Sequence, residues 1–80
     1  MRINVLFFGM SRDIAGRASE ELILNEEFTV ESFKEFMHSK YPEMSRMKSF
    51  SIAVNESYAD NDYQLQDMDV LAIIPPVSGG

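Results

Sequence analysis

Between Phe28 and Pro42 apolar side chains recur at helical spacing, the clearest periodic signal in the chain. Val30, Phe33, Met37 and Tyr41 fall on one stripe with Phe36 on its flank, while Glu31, Lys34, Glu35, His38 and Lys40 occupy the rest of the surface. Thr29 has the chemistry of a helix N-cap, and Phe28 before it is spaced to meet Phe33 as a hydrophobic staple. Pro42 ends the helix, because the residue before a proline is biased away from the α region. A helix with one apolar stripe must bury it against something flat. That requirement directs attention to strands.

Residues 3–8 (Ile3-Asn4-Val5-Leu6-Phe7-Phe8) are rich in β-branched and aromatic side chains and close at Gly9, as a strand does. Ile3, Val5 and Phe7 point one way and Asn4, Leu6 and Phe8 the other. Both faces are largely apolar, so this strand is expected to be central or covered on both sides. Ser11 to Gly16 fits one helical turn with Ser11 as cap, and Glu21 to Asn25 reads as a hairpin partner of the first strand. Phe50, Ile52 and Val54 alternate with Ser51, Ala53 and Asn55, and Asn55-Glu56 suggests a tight turn. Ser57 to Tyr63 is polar and partly extended. Asp67-Met68-Asp69 forms a turn before a last strand, Val70 to Ile74, which Pro75-Pro76 stops. One helix and about five strands in 80 residues predict an α+β fold, a single mixed sheet curled around the helix. The length allows one domain, residues 1–80.

A chain this short buries only about 63% of its unfolded surface, which leaves little for a deep pocket with its own supporting shells. An enzyme acting alone is not expected. Seven basic and thirteen acidic residues give a net charge of −6, which argues against nucleic-acid or anionic-membrane partners. The opening apolar run is too short for a membrane span and lacks a signal-peptide pattern, so a cytoplasmic location is expected. There is no Cys, hence no disulfide or thiolate site, and no glycine-rich nucleotide loop or zinc-protease helix. His38 reads as a solvated residue on the polar helix face. Asp60, Asp62, Asp67 and Asp69 invite a calcium reading, but no loop glycine or terminal glutamate supports it, and a solubilising face is the better expectation. The six methionines are expected to fill gaps in a small core.

The end of the sequence is more specific. An apolar strand leads to Pro75-Pro76, a stiff extended spacer of about 3.1 Å per residue, which projects residues 75–80 as a tail. Val77 and Ser78 follow, and then Gly79-Gly80, which lack Cβ atoms and fit a channel too narrow for other residues. The group delivered is the α-carboxylate of Gly80. No other distinctive reactive group is visible.

The stretch Ile73 to Gly80 resembles the end of the molybdopterin synthase small-subunit family, and the likeness runs over nearly the whole chain. Val5-Leu6-Phe7-Phe8 and Arg12-Asp13-Ile14-Ala15-Gly16 resemble that family's opening strand and short helix. Ala53-Val54-Asn55 resembles its third main strand, and Leu65-x-Asp67-x-Asp69 its last turn. The terminal Gly-Gly alone is shared with thiamine-pathway sulfur carriers and ubiquitin-like modifiers, whereas Pro-Pro-Val-Ser-Gly-Gly is more specific. One departure is Met68, where the family usually has glycine; a left-handed turn there costs a non-glycine residue about 1–2 kcal/mol.

The resemblance implies a β-grasp, ubiquitin-like fold and a sulfur carrier with no permanently bound cofactor. A partner adenylating enzyme would spend ATP to activate the Gly80 carboxylate, which then becomes a thiocarboxylate. Gly79 and Gly80, led by Pro75, Pro76, Val77 and Ser78, would enter a large catalytic subunit, in a complex of two small and two large subunits. There the sulfur adds to a cyclic pyranopterin. Leu6, Phe8 and Ile74, extended by Tyr58, are expected to form the docking strip, because they lie on the sheet face that the helix leaves open. A thiamine-pathway carrier and a protein modifier joined through Gly80 are the alternatives.

Overall fold

The computed structural model describes residues 1–76. Its elements are β1 (Arg2–Phe7), α1 (Met10–Ala15), β2 (Ser19–Ile23), α2 (Val30–Lys40), a 3-10 helix (Pro42–Arg46), β3 (Ser51–Val54), β4 (Ser57–Tyr58) and β5 (Val70–Ile74). The strands form one sheet in the order β2-β1-β5-β3-β4. β1 and β5 pair in parallel, and the other three pairings are antiparallel. Parallel neighbours need a long crossover, and here almost everything between the chain's first and last strands supplies it. The result is the β-grasp arrangement expected from the sequence.

Period-two alternation sends Ile3, Val5 and Phe7 of β1, Leu22 of β2, Ile52 and Val54 of β3, and Leu71 and Ile73 of β5 to one face. Val30, Phe33 and Met37 of α2 join them in a single core, closed by Leu24, Phe28, Met44, Met47, Phe50 and Leu65. Thr29 caps α2 as expected. Its hydroxyl accepts from Ser32 N–H at 3.1 Å while the Ser32 hydroxyl accepts from Thr29 N–H at 2.9 Å, a reciprocal box with serine in place of the usual Glu or Gln. The Tyr41 N–H reaches the Met37 carbonyl, and Pro42 then opens the 3-10 helix rather than a loop.

Several local expectations are corrected. β1 lies inside the sheet, the first of the two alternatives expected of it, and only one of its faces is covered, since the chain has one main helix to lay on the sheet. Gly9, not Ser11, occupies the N-cap of α1. Ser11 is fully buried one residue inside the helix, where its hydroxyl donates to the Phe8 carbonyl and accepts from the Phe8 N–H, knotting the β1–α1 turn. β2 begins two residues before Glu21, because its register is set by pairing with β1, Leu6 opposite Ser19 and Arg2 opposite Ile23. Phe28 adds a ring contact with Phe36, centroids 5.5 Å apart, and shares the core cluster with Phe33. Met37, Met44 and Met47 fill the core, but Met10 and Met68 are exposed. Asp69 is buried rather than part of a solvated acidic face.

Candidate functional site

The sheet face away from α2 follows directly from the strand registers. One cross-strand row runs Glu21, Asn4, Val70; the next runs Ser19, Leu6, Ala72, Ala53, Tyr58. Ile74 lies opposite Ser51 in the row after that, and Phe8 follows Phe7 along β1. The face therefore changes character along its length, polar near Arg2 and Glu21 and apolar near the ends of β1 and β5. Leu6, Phe8, Ala53, Tyr58, Val70, Ala72 and Ile74 line one shallow depression together with Glu56. Phe8 is 47% exposed and Tyr58 74%. Leu6, Phe8, Tyr58 and Ile74, each singled out from sequence, are thus brought together on one surface.

β5 carries this strip straight to the tail. Pro75 follows Ile74 and packs over Gly9 at the end of β1, where a Cβ on residue 9 would sit 3.2 Å from the Pro75 Cγ. Gly9 also has φ +54°, a conformation suited to glycine. Pro75 is half-buried and Pro76 exposed. Val77, Ser78, Gly79 and Gly80 lie outside the described residues.

The opposite end of the strip is held by two turns that face each other. Asn55-Glu56 joins β3 to β4 with φ of +50° and +74°, the pattern of a two-residue type I′ hairpin. Met68, at φ +72°, makes the turn before β5. The left-handed conformation at Met68 is therefore real, and local strain of about 1–2 kcal/mol is tolerated there. Asn55 ties the turns together: its Oδ1 accepts from Val70 N–H at 3.0 Å and its Nδ2 donates to Asp69 Oδ1 at 3.0 Å. Asp69 also accepts from the Tyr63 hydroxyl at 3.1 Å and from Gln66 N–H at 2.8 Å. Burial and this carboxylate raise the Tyr63 hydroxyl above its ordinary value. Asp67 accepts from Arg2 N–H at 2.7 Å. Two of the four aspartates weighed for calcium are thus used by the protein's own hydrogen bonds. Among the described residues no group of three or more His, Asp or Glu is placed to hold a metal.

On the helix side, the Tyr41 hydroxyl donates to Glu20 Oε1 at 2.7 Å, and Lys40 and Arg17 pair with the same carboxylate at 3.3 and 3.6 Å. Burial foremost, then the bond to Glu20, pushes the Tyr41 hydroxyl up to about 12. This cluster locks β2 to the end of α2 and faces away from the strip. His38 is exposed beside Phe50. Glu56 lines the depression although the sequence does not mark it as a candidate, and Met68 lies in the neighbouring turn. An Asn-X pair between two strands and an Asp-X-Asp turn are the signals that point to left-handed positions, and each carries an ordinary side chain here.

No helix among the described residues is long and apolar enough to cross a membrane. The ThiS family model matches residues 5–80. Over 83 aligned residues the chain is 36% identical to the molybdopterin synthase sulfur carrier subunit of Drosophila yakuba, covering 100% of this chain and 92% of that protein. A candidate molybdopterin converting factor subunit 1 of Pyrococcus furiosus superposes with a TM-score of 0.84 at 28% identity, over 96% of this chain and 99% of that one. A chain in the protein–protein complex of subunits 1 and 2 of the Helicobacter pylori molybdopterin-converting factor matches at a TM-score of 0.68 and 27% identity, over 100% of both. The chain belongs to the ThiS family, with full-length likeness to molybdopterin synthase sulfur carrier subunits.

Proposed function

We propose that this chain is the sulfur carrier subunit of a molybdopterin synthase, and that the Gly80 carboxylate is the group that carries the sulfur. The observation that carries the reading is the open apolar strip on β1, β4 and β5, which runs without interruption into Pro75. An exposed apolar surface at the point where the chain leaves the sheet suits a protein that works docked on a partner. The relatives' names, and the complex of subunits 1 and 2 from Helicobacter pylori, support a large catalytic subunit as that partner.

The chemistry follows from the carboxylate. A resonance-stabilised carboxylate is a poor electrophile until one oxygen becomes a good leaving group. Attack of the Gly80 carboxylate on the α-phosphorus of ATP, in a partner adenylating enzyme, releases pyrophosphate and forms an acyl-adenylate. A sulfur donor then displaces AMP and leaves a thiocarboxylate. In the large subunit the terminal sulfur is transferred to a cyclic pyranopterin, and water, attacking the acyl carbon as the C–S bond breaks, returns Gly80 to a carboxylate. The small chain contributes the reactive atom and the docking surface; the partner contributes the pocket. The complex is proposed to contain two copies of each subunit, in the cytoplasm, with no cofactor held by the small chain.

The test is incubation with an adenylating enzyme, ATP and a sulfur donor, followed by intact mass. The expected product has one oxygen replaced by sulfur, located at Gly80 by fragmentation. An unchanged mass under conditions that convert a known carrier would refute the reading, and stable conjugates through Gly80 to lysines would assign the chain as a modifier instead.

A further inference from the structure

Glu56 and Met68 both hold left-handed backbone conformations that glycine adopts freely, and both are exposed. They flank the same residue. Val70 lines the apolar depression with Glu56 on one side, and on the other a second depression with Met68, Asn4, Glu21 and Arg2. The two turns are fixed side by side through Asn55, whose N–H, Oδ1 and Nδ2 bind Val70 and Asp69. Backbone strain persists only where surrounding structure holds it, and it concentrates at functional surfaces. Both side chains are largely exposed in the free domain. Met68 is 65% exposed, and Glu56 forms no ion pair among the described residues, whereas nearby Glu21 is paired with Arg2 at 3.7 Å.

We infer that the docking face extends past the apolar strip to Glu56 and Met68, which together fit a partner surface offering an apolar socket beside a basic side chain. This rests on the carrier reading, and the occupant is the large synthase subunit. Continuity is the first argument, because Val70 belongs to both depressions. Charge is the second: an unpaired carboxylate at the rim of an apolar surface favours a partner cation and disfavours partners that place an acid there. A partner without these two features would still meet the strip, but would find a solvated carboxylate and an unburied thioether at its edge.

The test pairs stability with affinity. Met68→Gly, Glu56→Gly, Glu56→Gln and Phe8→Asp are titrated calorimetrically against the large subunit from the same source, and each free variant is melted. Met68→Gly and Glu56→Gly are expected to melt no lower than the parent, because glycine relieves the left-handed strain, yet each binds about tenfold more weakly. Glu56→Gln should weaken binding at low salt and approach the parent at high salt. Parent-like affinity of both glycine variants, with Phe8→Asp still unable to bind, overturns the extension and leaves the strip as the docking face. A clear fall in melting temperature of the glycine variants also overturns it, by showing that the side chains serve the fold. Full binding by Phe8→Asp removes the strip and the extension together.

Discussion

Phe8 is the residue on which the docking reading can be tested most sharply. It follows β1 at the edge of the strip and leaves 47% of its surface open in the free chain. A phenylalanine side chain presents about 200 Å², so docking would remove about 90 Å² more from water. At about 25 cal/mol per Å² that is about 2 kcal/mol, or roughly 30-fold in Kd for Phe8→Ala. Phe8→Asp should cost more, because it also carries a charge into a desolvated apolar contact. Phe8 belongs to the open face and not to the core formed by Ile3, Val5, Phe7 and their partners. The variant should therefore still melt cooperatively, although loss of the covered half of the ring lowers its melting temperature. Affinity for the large subunit, measured well below that temperature, is the assay. Ile74→Asp, beside Phe8 at the same end of the strip, should behave alike. Binding within twofold of the parent for both aspartate variants would refute the argument from exposed area.

Three further outcomes are expected. Deleting Gly80 removes up to about 3.3 Å of reach, and adding one residue beyond it converts the carboxylate to an amide; both should abolish thiocarboxylate-dependent product formation while melting temperature stays put, as single-turnover assays and calorimetry would show. Asp69→Ala strands the Tyr63 hydroxyl, Asn55 Nδ2 and Gln66 N–H, at a cost of about 3 kcal/mol, which lowers the melting temperature by roughly 12–24 °C. Tyr41 titrates at about 12 in the folded chain against an ordinary 10.0, so the folded state holds its proton longer. Its contribution is complete below pH 10, declines between the two values as pH rises, and is gone above the folded value; Tyr41→Phe should flatten that part of a stability–pH curve followed by denaturant titration.

How much of this was legible in the sequence depends on whether one residue pattern carried one structural meaning. Val30, Phe33 and Met37 repeat at helical spacing and are buried on one face, because only that period lets a helix cover the sheet. Val70 to Ile74 alternates, and the structure buries Leu71 and Ile73 as the alternation demands. Leu6 and Phe8 were ambiguous, since an apolar outer face fits either a two-sided central strand or a docking surface; the number of helices decides it. Ser11 misled because serine caps and serine inside a first turn share the same local composition, and the choice lay in its bonds to Phe8. Asp69 misled because an acidic run reads as solvated, whereas its donors come from Asn55 and Tyr63 of other segments. Long-range partners of that kind leave no periodic trace. The tail motif was legible as chemistry, but its exit over Gly9 required the parallel pairing of β1 with β5.

That pairing explains why fold and proposed function are hard to separate in so short a chain. β1 and β5 are the sheet's adjacent central strands, and their inward residues Val5, Phe7, Leu71 and Ile73 supply its most buried positions. Being parallel, they end on the same side. Their outward residues therefore converge as one apolar patch, and the chain leaves the sheet from that patch through Pro75. An antiparallel arrangement of the same two strands would send the end of β5 toward the start of β1, beside Arg2 and Glu21, and part the tail from Phe8. Core stability and the point at which the chain leaves the sheet thus rest on one strand pair. Substitutions that loosen Val5–Leu71 packing are expected to weaken partner binding through the fold, whereas changes at Phe8 or Ile74 act on the docking surface itself.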